Sequence, residues 1–267
     1  MTPDGPPVQP PDRGLVRSFR HPLEGARILL VGGTSGLGLA VARAVAERGA
    51  TPIVASRSQV HVDGALGALP DHAEGATVDL TDPGSIARLV DYAGALDHVV
   101  YTAGEPLQRT ELTDLTPEIV RSVWETRYLG ALSVVRAVAV AGTATAIGAI
   151  RKGGSIVLTG GSAGQRPGPG WSLGASLCGA LEALTRELAL ELAPVRVNLV
   201  APGLTRRPQW AGMSGEEQRA MYGRLAATLP VRRLGEPSDV ALAYVYAMEQ
   251  PMATGTSILV DGGAVLV

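Results

Sequence analysis

Lysine and cysteine are almost missing from this chain. Of its 23 Lys and Arg residues only Lys152 is a lysine, and Cys178 is the one cysteine. A single cysteine forms no internal disulfide, which fits a reducing, cytoplasmic setting. Cys178 sits in an Ala/Leu-rich stretch with no basic neighbour in the adjacent turns, so it reads as a buried structural thiol and not as a nucleophile. The scarcity of lysine carries more weight. Arginine stays protonated in proteins and does not replace a lysine that titrates as an acid or base. Charge is sparse as well, at 18% of residues with a net charge of -2. That argues against nucleic acid as the main partner, because neutralising phosphates demands clustered Lys and Arg. No apolar run approaches the roughly 20 residues of a membrane span. Residues 1–22 are rich in Pro, Gly and Arg and lack an apolar stretch, so no signal peptide is expected.

What is present describes a globular chain. Hydrophobic residues make up 46% of 267 positions, enough for one large α/β domain. Five prolines in the first eleven positions mark residues 1–21 as a disordered arm, leaving 22–267 as the folded unit. Short apolar runs at 27–31, 52–55, 76–80, 98–101, 155–159, 195–200 and 258–260 read as strands. Helical patterns lie between them, up to about 48 and over 85–95, 117–150 and 172–192. Strands separated by helices imply βαβ units. The expected fold class is therefore α/β, a Rossmann-type doubly wound parallel sheet with helices on both faces. Lys152, in Arg151-Lys152-Gly153-Gly154 before a strand, falls at the end of such a sheet opposite its ligand crevice. Residues 203–230 break the rhythm after the sixth strand. They open on Pro202-Gly203, carry Arg206, Arg207, Trp210 and Met213, and contain one helix-like patch at 215–226. A long excursion there is where this fold places a loop over its substrate.

The first strand runs into Gly32-Gly33-Thr34-Ser35-Gly36-Leu37-Gly38 and then a helix. Glycine permits the tight turn and lets backbone amides approach a pyrophosphate, which the helix N-terminus stabilises. At the end of the second strand, NAD enzymes of this architecture place an acid that accepts from the ribose 2′-hydroxyl. Here Ser56 and Arg57 stand instead, and a guanidinium pairs with a 2′-phosphate. The expected cofactor is NADP(H).

The spacing of the glycines resembles the Thr-Gly-x-x-x-Gly-x-Gly fingerprint of the short-chain dehydrogenase/reductase family, and the resemblance runs from about Leu23 to the C-terminus. Asp79-Leu80 resembles the family's adenine-binding acid after the third strand, and Ala103-Gly104 the second half of its Asn-Asn-Ala-Gly turn. Arg196-Val197-Asn198 with Pro202-Gly203, Pro230…Arg233-Leu234-Gly235 and Asp261-Gly262-Gly263 are similar to its later signatures. The resemblance implies cofactor-binding roles for Gly32, Thr34, Ser35, Gly36, Leu37, Gly38, Ser56, Arg57, Asp79, Leu80, Ala103, Gly104, Pro202 and Gly203. It also implies a homo-oligomer, dimer or tetramer, built through two long central helices.

The family's proton-transfer residues are not there. Its tyrosine position falls on Leu173, its lysine on Leu177, its asparagine on Arg127 and its serine on Gly161, with Ser162 next door. Leu173 and Leu177 are one helical turn apart on one face, which transfers no proton. Tyr101 and Tyr128 are the substitutes to check, although tyrosines so placed usually pack. Arg127 either binds a carboxylate or developing negative charge, or is satisfied by a nearby acid or by helix-end carbonyls. Ser162 either holds a substrate oxygen or belongs to a plain turn. Arg166 and Trp171 fill the loop before the long helix and are expected to line a pocket. His98 reads as packed within its strand, and no metal site is expected. The leading expectation is an atypical NADP(H)-dependent oxidoreductase acting on an activated small molecule. A non-redox enzyme on the same scaffold (cyclase, dehydratase or isomerase) and a non-catalytic nucleotide-binding partner stand as alternatives.

Overall fold

The structure is a computed structural model that describes residues 21–105, 107–141, 148–166, 168–206 and 214–267. The expected arm, save its last residue, and the loop residues Arg207, Trp210 and Met213 lie outside the described residues. Seven strands are described: β1 (Arg27–Val31), β2 (Thr51–Ser56), β3 (Glu74–Thr77), β4 (Leu96–Tyr101), β5 (Ile150–Thr159), β6 (Arg196–Pro202) and β7 (Ser257–Val260). They form one sheet in the order β3-β2-β1-β4-β5-β6-β7, and every pairing is parallel. The order reverses between β1 and β4. In a doubly wound sheet a ligand crevice opens there, at the carboxyl ends of the strands.

Alternation along each strand divides the core in two. Leu29 and Val31 of β1 face Leu89 of α3 (Pro83–Ala93), Val134 of α5 (Gly130–Val140) and Leu181 of α6 (Ser172–Glu191). Ile28 and Leu30 face Val41 and Val45 of α1 (Gly36–Ala46) and Tyr244 and Met248 of α8 (Pro237–Glu249), the helix after α7 (Gly215–Thr228). Both faces are covered, so the strands are apolar throughout and not alternating, as the sequence suggested.

Several elements differ from expectation. A helix α2 (Gln59–Leu66) follows β2; its mixed sequence Gln-Val-His-Val-Asp-Gly-Ala-Leu has no clear apolar stripe. Helix α8 is apolar nearly all round, with seven buried residues, and so shows no amphipathic period. The expected third strand at 76–80 lies earlier, at Glu74–Thr77. The single helix expected over 117–150 is α4 (Pro117–Trp124), a π-helical turn (Glu125–Leu129) and α5, running without a break to Val140. Thr116 starts it by accepting from the Ile119 amide.

Two of the family-like residues serve the scaffold. Arg196, buried at the start of β6, donates to the Ala247 and Met248 carbonyls at the end of α8, both at 2.6 Å. Asn198 donates to the Ala253 carbonyl at 2.8 Å and accepts from the Thr256 amide, tying β6 to the approach of β7. His98 is packed as expected, with Nδ1 2.9 Å from the Ser155 hydroxyl. Burial, and next the Arg196 charge, push its pKa down to about 4. Lys152 is exposed in the first part of β5, at the amino end of the sheet, far from the crevice.

Candidate active site

The glycine turn is built against the end of β4. Gly32 has φ +87°, and a Cβ there would lie 2.6 Å from the Ala103 nitrogen. A Cβ on Gly38 would lie 2.6 Å from the Thr102 hydroxyl and collide with the Gly32 carbonyl. Thr102 closes the contact by donating its amide to the Val31 carbonyl at 2.8 Å. Gly36 is different: its φ is +51°, and a Cβ would meet nothing within 4 Å. Gly32 and Gly38 are therefore small to let chain segments touch, while Gly36 faces open space. Ser35 precedes α1 in an extended conformation and makes no side-chain cap; it is exposed, and Thr34 and Leu37 are half-buried. The first amides of α1 thus sit at an open, uncapped helix N-terminus, a geometry that fits a pyrophosphate.

Around the adenosine end, Ser56 ends β2 and Arg57 projects beyond it, its side chain 78% exposed. Asp79 lies past β3 and accepts from the Thr81 amide and hydroxyl at 2.9 and 2.7 Å. Those bonds, with a smaller contribution from the Arg57 charge, hold its carboxyl below the usual range. Leu80 lies against Gly130, at the start of α5. Glu105, one residue past Ala103-Gly104, pairs with Arg57 at 3.9 Å. Glu105 was not singled out from the sequence, although it flanks the Ala103-Gly104 turn.

Beyond that turn lies the region of proton transfer. Leu177 is fully buried and Leu173 half-buried on the first turns of α6, so the face is apolar. Gly161 has a physical reason to lack a side chain: a Cβ there would lie 3.2 Å from the Cys178 sulfur. Cys178 is buried, and burial pushes its thiol up to about 11, as expected of a structural cysteine. Ser162 opens a 3-10 turn, Ser162–Gly164, and is half-buried.

The hydroxyls of two buried tyrosines, Tyr101 and Tyr244, are engaged within the scaffold. The Tyr101 hydroxyl donates to the Thr126 carbonyl in the π-helical turn, and burial raises its pKa. Tyr128 stacks at a tilt on Trp124, 5.2 Å between ring centres. Tyr244, fully buried, lies 2.7 Å from the Thr159 hydroxyl, which itself reaches the Tyr101 carbonyl at 2.6 Å. Thr159 has one hydroxyl hydrogen and gives it to the carbonyl, so Tyr244 must donate to Thr159. Both phenol protons are thereby aimed into the scaffold.

Arg127 lies in the π-helical turn and reaches back over Gly104. Its Nε donates to the Glu105 carbonyl at 3.0 Å, and Nη2 donates to the same carbonyl and, at 3.5 Å, to that of Gly104. Carbonyls thus hold Arg127, but they belong to the loop after β4 and not to a helix end. Its positive charge still reaches the crevice, where it opposes the upward shifts of Tyr101, Cys178 and Tyr244. Two loops close this end: the Thr110 amide donates to the Gly170 carbonyl at 2.9 Å, and Leu107 and Trp171 both pack over Gly174. Arg166 spends a donor on the Ala264 carbonyl of the C-terminal turn. At the end of β6, the Gly203 amide donates to the Val260 carbonyl at 2.9 Å, and its α-carbon faces Asp261 too closely for a side chain. Among the described residues, no group of three or more His, Cys, Asp or Glu is arranged to hold a metal ion.

Residues 31–265 match the family described as enoyl-(acyl carrier protein) reductase. The chain is 32% identical to the short-chain dehydrogenase/reductase malC of Malbranchea aurantiaca, covering 94% of this chain and 98% of that one. It is 37% identical to ATR9 of Stachybotrys chlorohalonatus, covering 91% and 98%. The solved structure of the Malbranchea protein, described as a MalC reductase/Diels-Alderase, superposes with a TM-score of 0.83 over 93% of this chain and 99% of that one, at 31% identity. A small-chain dehydrogenase in complex with NADPH, also 31% identical, gives 0.74 over 91% and 100%. This chain belongs to the short-chain dehydrogenase/reductase family, a family of oxidoreductases, with its Rossmann-type fold.

Proposed function

We propose that the protein is an NADP(H)-binding oxidoreductase that reduces an activated small-molecule acceptor, an iminium or a conjugated system, without a Tyr-Lys pair. One observation carries the reading. The helix face for that pair holds Leu173 and buried Leu177, while the neighbouring phenols Tyr101 and Tyr244 donate into the scaffold. A ketone that accepts hydride becomes an alkoxide and needs a proton at once. An iminium becomes a neutral amine, and a conjugated acceptor spreads its charge. NADPH supplies the hydride when bound. Gly32, Thr34, Ser35, Gly36, Leu37 and Gly38 form its pyrophosphate cradle, Ser56 and Arg57 take the 2′-phosphate, and Asp79 and Leu80 take the adenine. Ala103 and Gly104 back the groove, and Pro202 and Gly203 bound its far end. Arg127 acts through its charge on negative charge developing in the acceptor, and Ser162 holds an acceptor oxygen.

The Malbranchea relative, described as both a reductase and a Diels-Alderase, favours a second reading. The apolar wall of Leu107, Trp171 and Leu173 with Arg127 would then hold a substrate for ring closure, any nucleotide serving structure. We further propose a cytoplasmic homo-oligomer. Leu129, Leu132 and Val140 are exposed along one side of the α4–α5 helix, and Leu190 on α6 is 75% exposed. Calorimetric titration tests the cofactor assignment. NADPH is expected to bind at least tenfold tighter than NADH, about 1.4 kcal/mol, with the difference lost in Arg57→Ala. Equal affinities in the wild type would overturn it. NADPH oxidation by iminium or conjugated acceptors supports the redox reading, and turnover of a cyclisation substrate without NADPH oxidation supports the second.

A further inference from the structure

Arg57 and Glu105 approach each other from opposite sides of the glycine turn. Arg57 follows β2 and Glu105 follows β4, and in the sheet β1 lies between those strands. Two strand spacings amount to about 10 Å. The long side chains reach across that distance to an Nη2–Oε1 separation of 3.9 Å, with both side chains more than three-quarters exposed. The pair thus engages Arg57 at the end of β2, where a 2′-phosphate and not the ribose itself would meet it. Asp79 stands on the far side of Arg57, close enough for the guanidinium to lower its pKa, though less than the Thr81 bonds do. The cation expected to read a 2′-phosphate therefore lies between two carboxylates. Asp79 is held by the Thr81 hydroxyl, whereas among the described residues no hydroxyl donates to Glu105, which belongs to the loop whose carbonyl holds Arg127.

We propose that Glu105 is a cofactor-specificity residue whose carboxylate competes with the 2′-phosphate for Arg57 and so lowers the preference for NADP(H) over NAD(H). This rests on Arg57 receiving the 2′-phosphate. A phosphate monoester carries up to two negative charges, so it displaces the carboxylate from the guanidinium, and Glu105 must swing away as the cofactor seats. NADH lacks the group, makes no such demand on Arg57 and leaves the pair intact. Glu105 thus penalises one cofactor and not the other. The size of the effect is that of an exposed ion pair, about two- to fivefold in affinity, and it shrinks as salt screens the charges.

The test is titration of wild type, Glu105→Gln, Arg57→Ala and the double variant with NADPH, NADH and adenosine 2′,5′-bisphosphate at low and high salt. Glu105→Gln keeps the backbone carbonyl that Arg127 uses, so the loop is preserved. The expected result is a two- to fivefold tighter grip on NADPH and the bisphosphate in Glu105→Gln, no change for NADH, and no gain when Arg57 is already alanine. Unchanged or weaker NADPH binding in Glu105→Gln, or an equal gain for NADH, overturns the role of Glu105 while Arg57→Ala still weakens NADPH. If Arg57→Ala leaves NADPH affinity as it was, the placement of the 2′-phosphate fails, and this proposal fails with it.

Discussion

At the scale of single residues, Arg127 is the departure with most chemical consequence. Its guanidinium holds the Gly104 and Glu105 carbonyls and sends a positive field toward Tyr101, Cys178 and Tyr244. Glu105 is exposed, so its carbonyl regains water when the guanidinium leaves. Arg127→Ala should therefore cost no more than about 1.5 kcal/mol of stability. Turnover should fall at least tenfold, because the charge facing the acceptor is gone. Kinetics and chemical denaturation of the same variant check this. A large loss of stability with unchanged turnover would make Arg127 purely structural. His98 gives a second prediction. Its pKa is about 4 in the folded state against roughly 6.5 unfolded. Folding thus favours the neutral ring, and this contribution is fully present above pH 6.5 and lost as pH falls toward 4. At about 1.4 kcal/mol per unit it amounts to some 3 kcal/mol. Denaturation curves from pH 7 to 4 should show His98→Leu with a distinctly flatter decline than wild type; parallel declines would contradict it.

At the scale of elements, the β1–α1 turn is the part most fully expressed in its residues. Gly38 sits where a Cβ would strike the Gly32 carbonyl and the Thr102 hydroxyl. Gly38→Ala should push the turn away from β4, weaken NADPH by tenfold or more and lower stability by over 1 kcal/mol, since close-packed backbone yields little to an added methyl group. Unaltered NADPH affinity in a titration of that variant would show that the turn is not the cradle. This turn was legible because glycine spacing reports a backbone constraint directly. The strands were legible as apolar runs, with β3 displaced because Glu74-Gly75-Ala76-Thr77 contains little to mark it. Helices α2 and α8 escaped for opposite reasons, one too mixed and one too uniformly apolar to show a period. The carbonyl partners of Arg127, and the phenol protons of Tyr101 and Tyr244, were not legible. Each depends on a contact between residues 22 to 85 positions apart, which no local pattern encodes.

At the scale of the whole molecule, the parallel sheet reverses direction between β1 and β4 and brings two differently preserved halves to one crevice. On the β1–β2 side stand the open helix N-terminus and Arg57. On the β4–β5 side stand Arg127, Ser162 and an apolar helix face. Arg196 and Asn198 lock α8 and β7 behind them, so the family's Arg-Val-Asn segment serves the frame. On the proposed function, with NADPH as hydride donor and no Tyr-Lys pair, the molecule should separate acceptors by their need for a proton. General acid catalysis contributes about 10²–10⁴ in rate, and its absence falls on neutral acceptors such as a ketone and not on a charged iminium. The most direct measurement is kcat/KM with NADPH for a matched pair, a permanently charged cyclic iminium and the ketone of the same ring, at neutral pH. The iminium should be reduced at least about 100-fold more efficiently. A ketone reduced within tenfold of its iminium would contradict the claim and reveal a proton donor in the crevice.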